Sequence, residues 1–217
     1  MRVITAREGL PAGGSAPIAV AFGSGGVIVF PTESFYALGA DPLDREAVAK
    51  VFRLKKRAAS QPLLVLLDSP AGVDRFAREI PAPWPALMER FWPGPLTLLF
   101  PAREGLPAGI VSRSGEVALR VPGSDLCRAV IAAAGGRLTG TSANRSGEPP
   151  PVDIRSAVSS LDPGADLAVD LAVDGGTLPG GEVSTLLAPR DGRPALLREG
   201  AVTMKEVEMF LSEEGGL

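Results

Sequence analysis

Residues 25–36 read GGVIVFPTESFY, and this stretch joins an apolar strand to a polar exit. Val27 to Phe30 form a continuous apolar run that Pro31 ends, which is typical of a strand buried on both faces. Thr32, Glu33 and Ser34 follow directly. Because ligands of open α/β sheets bind outside the ends of strands, the stretch predicts a buried sheet with a ligand site at its edge. A polar strand exit without a ligand is the alternative.

Apolar runs and breaks alternate along the rest of the chain. They predict strands at residues 27–30, 63–67, 96–100, 117–121, 137–141, 167–173, 184–188 and 195–198. They predict helices after an N-cap at Asp44 and at residues 70–79, 84–91, 125–134 and 203–212. Because a helix does not follow every strand, the pattern favours a mixed sheet in a single α/β or α+β domain.

The composition favours one large core and excludes several protein classes. The chain has 217 residues, of which 45% are hydrophobic, and chains of this size bury roughly 70% of their unfolded surface. No apolar run is long enough for a transmembrane helix, and residues 1–15 lack the apolar centre of a signal peptide. We therefore expect a cytoplasmic protein with no membrane partner. Cys127, the only cysteine, has apolar neighbours that predict a buried thiol.

The chain contains no histidine, which excludes much catalytic chemistry. A Ser-His-Asp triad, a Cys-His pair and a histidine zinc site are impossible. An enzyme of this composition must use positioning and electrostatics, carboxylates or lysines, or a metal ligated by oxygen such as Mg²⁺.

Positive charge is concentrated in one segment, although the net charge is −3. Residues 50–57 carry five cations and end in Lys55-Lys56-Arg57. A triphosphate must be neutralised before its phosphorus is attacked, and Lys and Arg side chains supply that charge. A solvated helix end, with cations that complement the helix dipole, is the alternative.

Three further polar positions suit a ligand site. Ser142 and Asn144 are two residues apart on an extended segment and point to the same side, although turn formation would also explain them. Arg120 lies in an apolar strand, where a cation must either face a site or form a structural salt bridge. Ser184 begins a late strand and offers a hydroxyl. The chain has no P-loop motif and no GxGxxG motif after a strand.

Together these segments resemble the YrdC family. The matching segments are residues 26–39 (GVIVFPTESFYALG), 55–57 (KKR) with 61–63 (QPL), 91–97 (FWPGPLT), 117–122 (VALRVP), 142–149 (SANRSGEP), 174–176 (DGG), 184–185 (ST) and 197–200 (LREG). On this basis we assign residues 1–14 to an N-terminal extension, 15–204 to a YrdC-like domain and 205–217 to a C-terminal helix and tail. The extra C-terminal domain of longer relatives is expected to be absent.

The resemblance implies a twisted mixed sheet flanked by helices, with a concave ligand-binding face. It also implies a nucleotidyltransferase reaction, in which L-threonine, bicarbonate and ATP give threonylcarbamoyl-AMP and pyrophosphate for threonylcarbamoyladenosine modification of tRNA. The implied catalytic residues, which also bind ATP, are Lys55, Arg57, Ser142 and Asn144. Arg198 is implied as a further ATP-binding residue, and Thr32, Ser34, Arg120 and Ser184 as the threonine-binding residues. Mg²⁺ is expected to arrive with the ATP phosphates, without a dedicated metal site.

The resemblance also implies partners and leaves alternatives open. Besides the substrates, the implied partners are a downstream threonylcarbamoyl transferase machinery and tRNA or double-stranded RNA. Leu66 stands where many relatives have a histidine, and the lost hydrogen bond would lower substrate affinity by about 1 kcal/mol. One alternative is therefore a YciO-like protein that binds nucleotide or double-stranded RNA without efficient adenylate synthesis. A carbamoyl-transfer module like that of hydrogenase-maturation proteins is another, against which the lack of zinc-finger and acylphosphatase segments counts.

Overall fold

The computed structural model describes residues 1–58, 60–161 and 168–213. The strands of this part of the chain are β1 Arg2–Thr5, β2 Ile28–Pro31, β3 Tyr36–Gly39, β4 Leu64–Leu67, β5 Leu96–Pro101, β6 Glu116–Arg120, β7 Arg137–Ser142, β8 Leu171–Asp174, β9 Thr185–Arg190 and β10 Arg193–Arg198. The α-helices are α1 Ser15–Gly23, α2 Arg45–Lys55, α3 Trp84–Phe91, α4 Asp125–Ala133, α5 Ile154–Ser160 and α6 Met204–Glu213. Two short 3₁₀ helices span Pro70–Arg75 and Ala108–Ile110.

The strands form one mixed sheet in the order β1-β8-β2-β3-β7-β4-β6-β5-β9-β10. Pairing is parallel in β1–β8, β8–β2, β4–β6 and β5–β9. It is antiparallel in β2–β3, β3–β7, β7–β4, β6–β5 and β9–β10. The mixed sheet in an α/β domain that the sequence predicts is therefore confirmed.

Helices cover the two faces of this sheet unequally. On one face, apolar side chains from β2, β3, β4, β5, β6, β8 and β9 pack against α2, α3, α5 and α6 in the larger core cluster. On the other face, α1 and α4 pack only over the first strands of the order, as far as β4, where Leu66 joins the cluster. Among the described residues, none of β6, β5 or β9 belongs to this second cluster, so α1 and α4 leave that part of the face uncovered. That uncovered area is where a ligand can approach the sheet.

Helix α2 shows how local sequence places a functional segment. The Asp44 side chain accepts hydrogen bonds from the backbone N–H groups of Glu46 and Ala47, which caps the helix start. The helix ends where Lys56 adopts a left-handed conformation with φ of 49°. This reversal turns Lys55 inward and directs the chain toward β4, so that Arg57 lies beside the sheet.

Several elements differ from their expected bounds. Residues 70–79 form only the 3₁₀ helix Pro70–Arg75, because Phe76 and Ala77 both return their N–H groups to the Val73 carbonyl and close the turn. The strand expected at 167–173 is observed at Leu171–Asp174, and residue 167 lies outside the described residues. Strands β1 and β3 and helices α1 and α5 were not predicted.

Both ends of the chain contribute to this architecture. Strand β1, within the segment assigned as an N-terminal extension, pairs with β8 and forms one margin of the sheet. Helix α6 packs into the larger cluster through Val207 and Leu211, and residues 214–217 of the expected tail lie outside the described residues. Cys127 is free and buried, and burial raises the pKa of its thiol. Among the described helices, none has the length and hydropathy of a membrane span.

Candidate functional site

A cavity of about 720 Å³ lies on the uncovered face of the sheet. This volume is within the usual range for small-molecule sites, roughly 300–1,000 Å³. Its lining includes the Thr32–Ala37 exit of β2, Arg57 and Pro62, the Pro93–Pro95 turn, Arg120 of β6, the Thr141–Ser142 end of β7, the Glu182–Ser184 segment and Arg198 of β10. The distant segments that the sequence singled out therefore meet around one space.

Small and apolar side chains form the floor of this cavity. Strand pairing sets Ala37 opposite Ser142 and Leu64 opposite Gly140, and Leu66 is paired with Arg120. A Cβ atom at Gly140 would come within 2.7 Å of the Leu66 side chain, so the glycine makes room for Leu66. Leu66 is 2% exposed and offers no polar atom. The floor is thus an apolar surface bordered by polar residues.

Three arginines face the cavity from different parts of the chain. Arg57 is held by the Gln61 carbonyl at 2.8 Å and the Pro62 carbonyl at 3.2 Å. Arg198 donates from Nε and Nη2 to the Ser184 carbonyl, at 3.1 and 2.9 Å. Burial is the main cause that lowers the pKa of Arg57 and of Arg198, and a neighbouring arginine adds to each shift. Guanidinium groups fixed this close together favour an anionic ligand between them.

Arg120, the third arginine, was predicted either to face a site or to form a structural salt bridge, and it does both. Its Nη2 donates to Glu33 Oε1 at 2.8 Å, and its Nε donates to the Gly94 carbonyl at 2.9 Å. Its side chain is 12% exposed and also lines the cavity. Arg120 therefore forms a salt bridge with Glu33 and at the same time presents charge to the cavity.

Hydroxyl groups line the remaining wall. Thr32 donates to the Phe35 carbonyl at 2.7 Å, and Ser34 donates to the Glu182 carbonyl at 3.4 Å. Ser184 Oγ accepts from Arg198 Nη2 at 3.1 Å and lies 2.9 Å from Thr97 Oγ1. The residues predicted to bind threonine thus share one cavity with Arg57, Ser142 and Arg198.

Lys55 and Asn144 lie behind the cavity wall rather than on it. The Lys55 ammonium donates to the Asn144 carbonyl at 2.6 Å, to Asn144 Oδ1 at 3.1 Å and to the Ser142 carbonyl. Asn144 Nδ2 donates to the Glu148 carbonyl. Lys55 is 1% exposed, and burial lowers its pKa to about 8. In this arrangement Lys55 fixes the loop that carries Ser142, and its three donors are already used.

Two cavity residues were missed as site residues. Glu33 lies within the polar exit of β2, and the sequence predicted no ligand for it. Thr97 is 2% exposed within Leu96–Pro101, and its signal was a single polar side chain in an otherwise apolar strand. The same reasoning that drew attention to Arg120 would have selected it, because buried polar groups need partners.

An arginine-rich cavity on the open face of a mixed sheet is the arrangement expected of a site for a small anionic ligand. A family model described as "telomere recombination", that of Sua5, YciO and YrdC, matches residues 21–200. The chain therefore belongs to the Sua5/YciO/YrdC family, and the resemblance found in the sequence is confirmed.

Curated relatives and solved structures agree with this assignment. The threonylcarbamoyl-AMP synthase of Pyrococcus abyssi is 34% identical over 189 residues, which cover 87% of this chain and 54% of that protein. The enzyme of the same name from Bacillus subtilis is 34% identical over 186 residues, covering 85% and 53%. The chain thus spans about half the length of these relatives.

The structure of P. abyssi Sua5 complexed with L-threonine superposes with a TM-score of 0.89 at 32% identity, covering 98% of this chain and 62% of that one. Escherichia coli YciO has a similar fold, with a TM-score of 0.77 at 21% identity, covering 94% and 97%.

Proposed function

We propose that this protein synthesises threonylcarbamoyl-AMP from L-threonine, bicarbonate and ATP, with release of pyrophosphate. The observation that carries the proposal is the convergence of Arg57, Arg120 and Arg198 on one cavity with an apolar floor. ATP brings several negative charges and threonine brings a carboxylate, so two anionic substrates side by side require such a concentration of cations. The relatives named threonylcarbamoyl-AMP synthase support the same reaction.

The reaction can proceed by positioning and charge neutralisation. Bicarbonate supplies CO₂ by loss of hydroxide. The threonine amine adds to the carbon of CO₂ to form a carbamate, and the proton that it releases combines with the hydroxide to give water. A carbamate oxygen then attacks the α-phosphorus while pyrophosphate leaves. The carbamate is already an anionic nucleophile, so the absence of histidine is no obstacle. Alignment of the two substrates supplies much of the rate, and fixed cations stabilise the charge that develops on the phosphates.

Within this proposal the residues divide into two groups. Arg57 and Arg198 bind the phosphates with Ser142, while Arg120 binds the threonine carboxylate. The hydroxyls of Thr32, Ser34 and Ser184 orient the amino acid. Lys55 and Asn144 act from behind the wall, because their polar atoms already hold the β7 loop in place.

The donor set of the cavity is compatible with Mg²⁺ carried by ATP. No cluster of three or more potential metal-binding side chains occurs within residues 1–58, 60–161 and 168–213. Mg²⁺ in nucleotide sites needs only one or two carboxylates, because phosphates and water complete its shell. Of the two carboxylates that line the cavity among the described residues, Glu33 is paired with Arg120, so Glu182 would be the residue to hold such an ion. The ion would supply charge neutralisation at the phosphates.

Product analysis tests the proposal directly. The protein is mixed with ATP, Mg²⁺, L-threonine and bicarbonate, and the products are identified by mass spectrometry, with each substrate omitted in turn. We expect threonylcarbamoyl-AMP and pyrophosphate only in the complete mixture. Arg57→Ala should lower product formation by at least about tenfold, which is about 1.4 kcal/mol of transition-state stabilisation.

The matched control for this test is Arg53→Ala, which removes an exposed arginine from the preceding helix α2. Its product formation should equal that of the wild type. Nucleotide binding without any threonylcarbamoyl-AMP would contradict the proposed reaction.

The proposal extends to the fate of the product. Threonylcarbamoyl-AMP is a mixed anhydride, so a transferase must pass its threonylcarbamoyl group to adenosine in tRNA. We accordingly propose a cytoplasmic role in tRNA modification, with that transferase machinery and tRNA as partners.

A further inference from the structure

Glu33 has one carboxylate oxygen with two partners and one with none. Oε1 accepts from Arg120 Nη2 at 2.8 Å and from the backbone N–H of Gly123. Oε2 is buried and has no hydrogen-bond partner among the described residues. Buried polar atoms are almost always paired, and leaving one unpaired costs folding free energy. An oxygen left in this state beside a binding cavity points to a ligand.

Arg120, the partner of Glu33, also keeps an unused polar atom. Arg120 uses Nε for the Gly94 carbonyl and Nη2 for Glu33. Its remaining terminal nitrogen, Nη1, has no partner within the part of the chain that the structure describes. Both side chains line the cavity. The Arg120–Glu33 pair therefore keeps one unused cationic donor and one unused, buried anionic acceptor.

We propose that Glu33 binds the α-amino group of the amino-acid substrate, beside the carboxylate that Arg120 binds. This inference rests on the proposed function. In an α-amino acid the ammonium nitrogen and the carboxylate are attached to the same carbon, so a carboxylate and a guanidinium in direct contact match both charges. Because the last torsion of a glutamate side chain is broad, the proposal requires only that the carboxylate rotate far enough to bring Oε2 toward the cavity while Oε1 keeps its bond to Arg120.

The contact is also compatible with the chemistry that follows. The ammonium, the free amine and the carbamate nitrogen each keep at least one N–H. A carboxylate oxygen can accept that N–H in all three states. Glu33 would thus hold the nitrogen in one place while its new bond to carbon forms.

Glu33→Gln is the variant that isolates this role. Glutamine keeps an oxygen for Arg120 and Gly123, but it replaces Oε2 with an NH₂ group that cannot accept from an ammonium. The matched control is Glu89→Gln, which removes the same charge from an exposed position on α3. Calorimetry without ATP measures the binding of two ligands. These are L-threonine and the 2,3-dihydroxybutanoate of the same stereochemistry, in which a hydroxyl replaces the amino group.

We expect Glu33→Gln to weaken L-threonine binding by at least about tenfold, which is about 1.4 kcal/mol, and to leave binding of the dihydroxy acid unchanged. Equal threonine affinity in Glu33→Gln and the wild type would overturn this inference but not the proposed function. Equal losses for both ligands would also overturn it, because Glu33 would then act only through Arg120.

Two further outcomes are decisive. If the wild type binds no threonine, the proposed function fails and this inference fails with it. If Glu33→Gln does not fold, the wild type alone tests the inference. It should then bind threonine at least about tenfold more tightly than the dihydroxy acid. Equal binding of the two ligands would refute the role of Glu33.

Discussion

Replacing Lys55 with methionine tests how a buried ammonium holds the wall of the cavity. Methionine has a similar unbranched shape but no charge and no donor. In the wild type the ammonium satisfies the carbonyls of Ser142 and Asn144 and the side-chain oxygen of Asn144. The variant leaves these buried acceptors without a donor, which should cost about 3 kcal/mol of the free energy of unfolding.

The pH dependence of that loss follows from the pKa of Lys55. Burial lowers this pKa from 10.5 to about 8. Between those values the unfolded chain binds more protons than the folded protein, so the free energy of unfolding rises with pH. The wild type should gain about 2 kcal/mol from about pH 7 to about pH 9.5 through this group. Lys55→Met lacks the group, so its deficit relative to the wild type should grow by the same amount.

Urea unfolding of the two proteins at a series of pH values measures this difference, with tryptophan fluorescence as the signal. Other titrating groups cancel in the comparison. Lys56→Met, at the exposed neighbouring position, is the control and should show a constant difference from the wild type. A Lys55→Met deficit that stays constant within about 0.5 kcal/mol would refute the reasoning, because the three acceptors would then outweigh burial and keep Lys55 protonated.

Three further substitutions test local features by urea unfolding. Asp44→Ala removes the cap of α2 and should lower the free energy of unfolding by about 1 kcal/mol, whereas Asp44→Asn should cost little; equal losses would contradict capping. Gly140→Ala should cost about 1–3 kcal/mol through contact with Leu66, and less in a Leu66→Ala background; equal costs in both backgrounds would argue against that contact. Tyr36→Phe removes a hydroxyl that is bonded to the backbone of residues 175–176 and should cost about 2 kcal/mol. A loss below about 0.5 kcal/mol would show that these bonds contribute little.

The helices and strands that were predictable from sequence are those whose sequence patterns lie within the element itself. Helix α2 has a capping aspartate, an apolar stripe and cations at its end, and each of these acts within a few residues. The buried strand β2 is a continuous apolar run. Strand β3 gave no such signal, because four residues are too few for a period and its pairing depends on β2 and β7.

The sequence predicted residues that meet at the cavity, but it did not predict which of them line the cavity and which lie behind its wall. Arg57, Arg120, Arg198 and Ser184 reach one space, as the resemblance implied. The burial of Lys55 could not be predicted, because a lysine at a helix end is normally exposed. It becomes buried only when the β7 loop, nearly ninety residues later, lays its carbonyls against the ammonium. No local pattern encodes such a contact.

The missed Glu33 illustrates the same limit. Its sequence position, just beyond a strand, is equally typical of a solvated carboxylate. Only when Arg120 and the Gly123 backbone approach it does Glu33 have one hydrogen-bonded carboxylate oxygen and one without a partner in the described residues. The charge pair joins Arg120 of β6 to the segment between β2 and β3, and neither of those strands is a neighbour of β6 in the sheet order.

The position of β8 between β1 and β2 has a consequence for biosynthesis. Arg2 and Ile28 both pair with Leu171, so two strands made early depend on one made late. At translation rates of roughly 5–20 residues per second, the nascent chain waits about 10–30 s before this partner leaves the ribosome. During that interval the edge of each strand that pairs with β8 has unpaired backbone groups, which exposes the emerging polypeptide to aggregation.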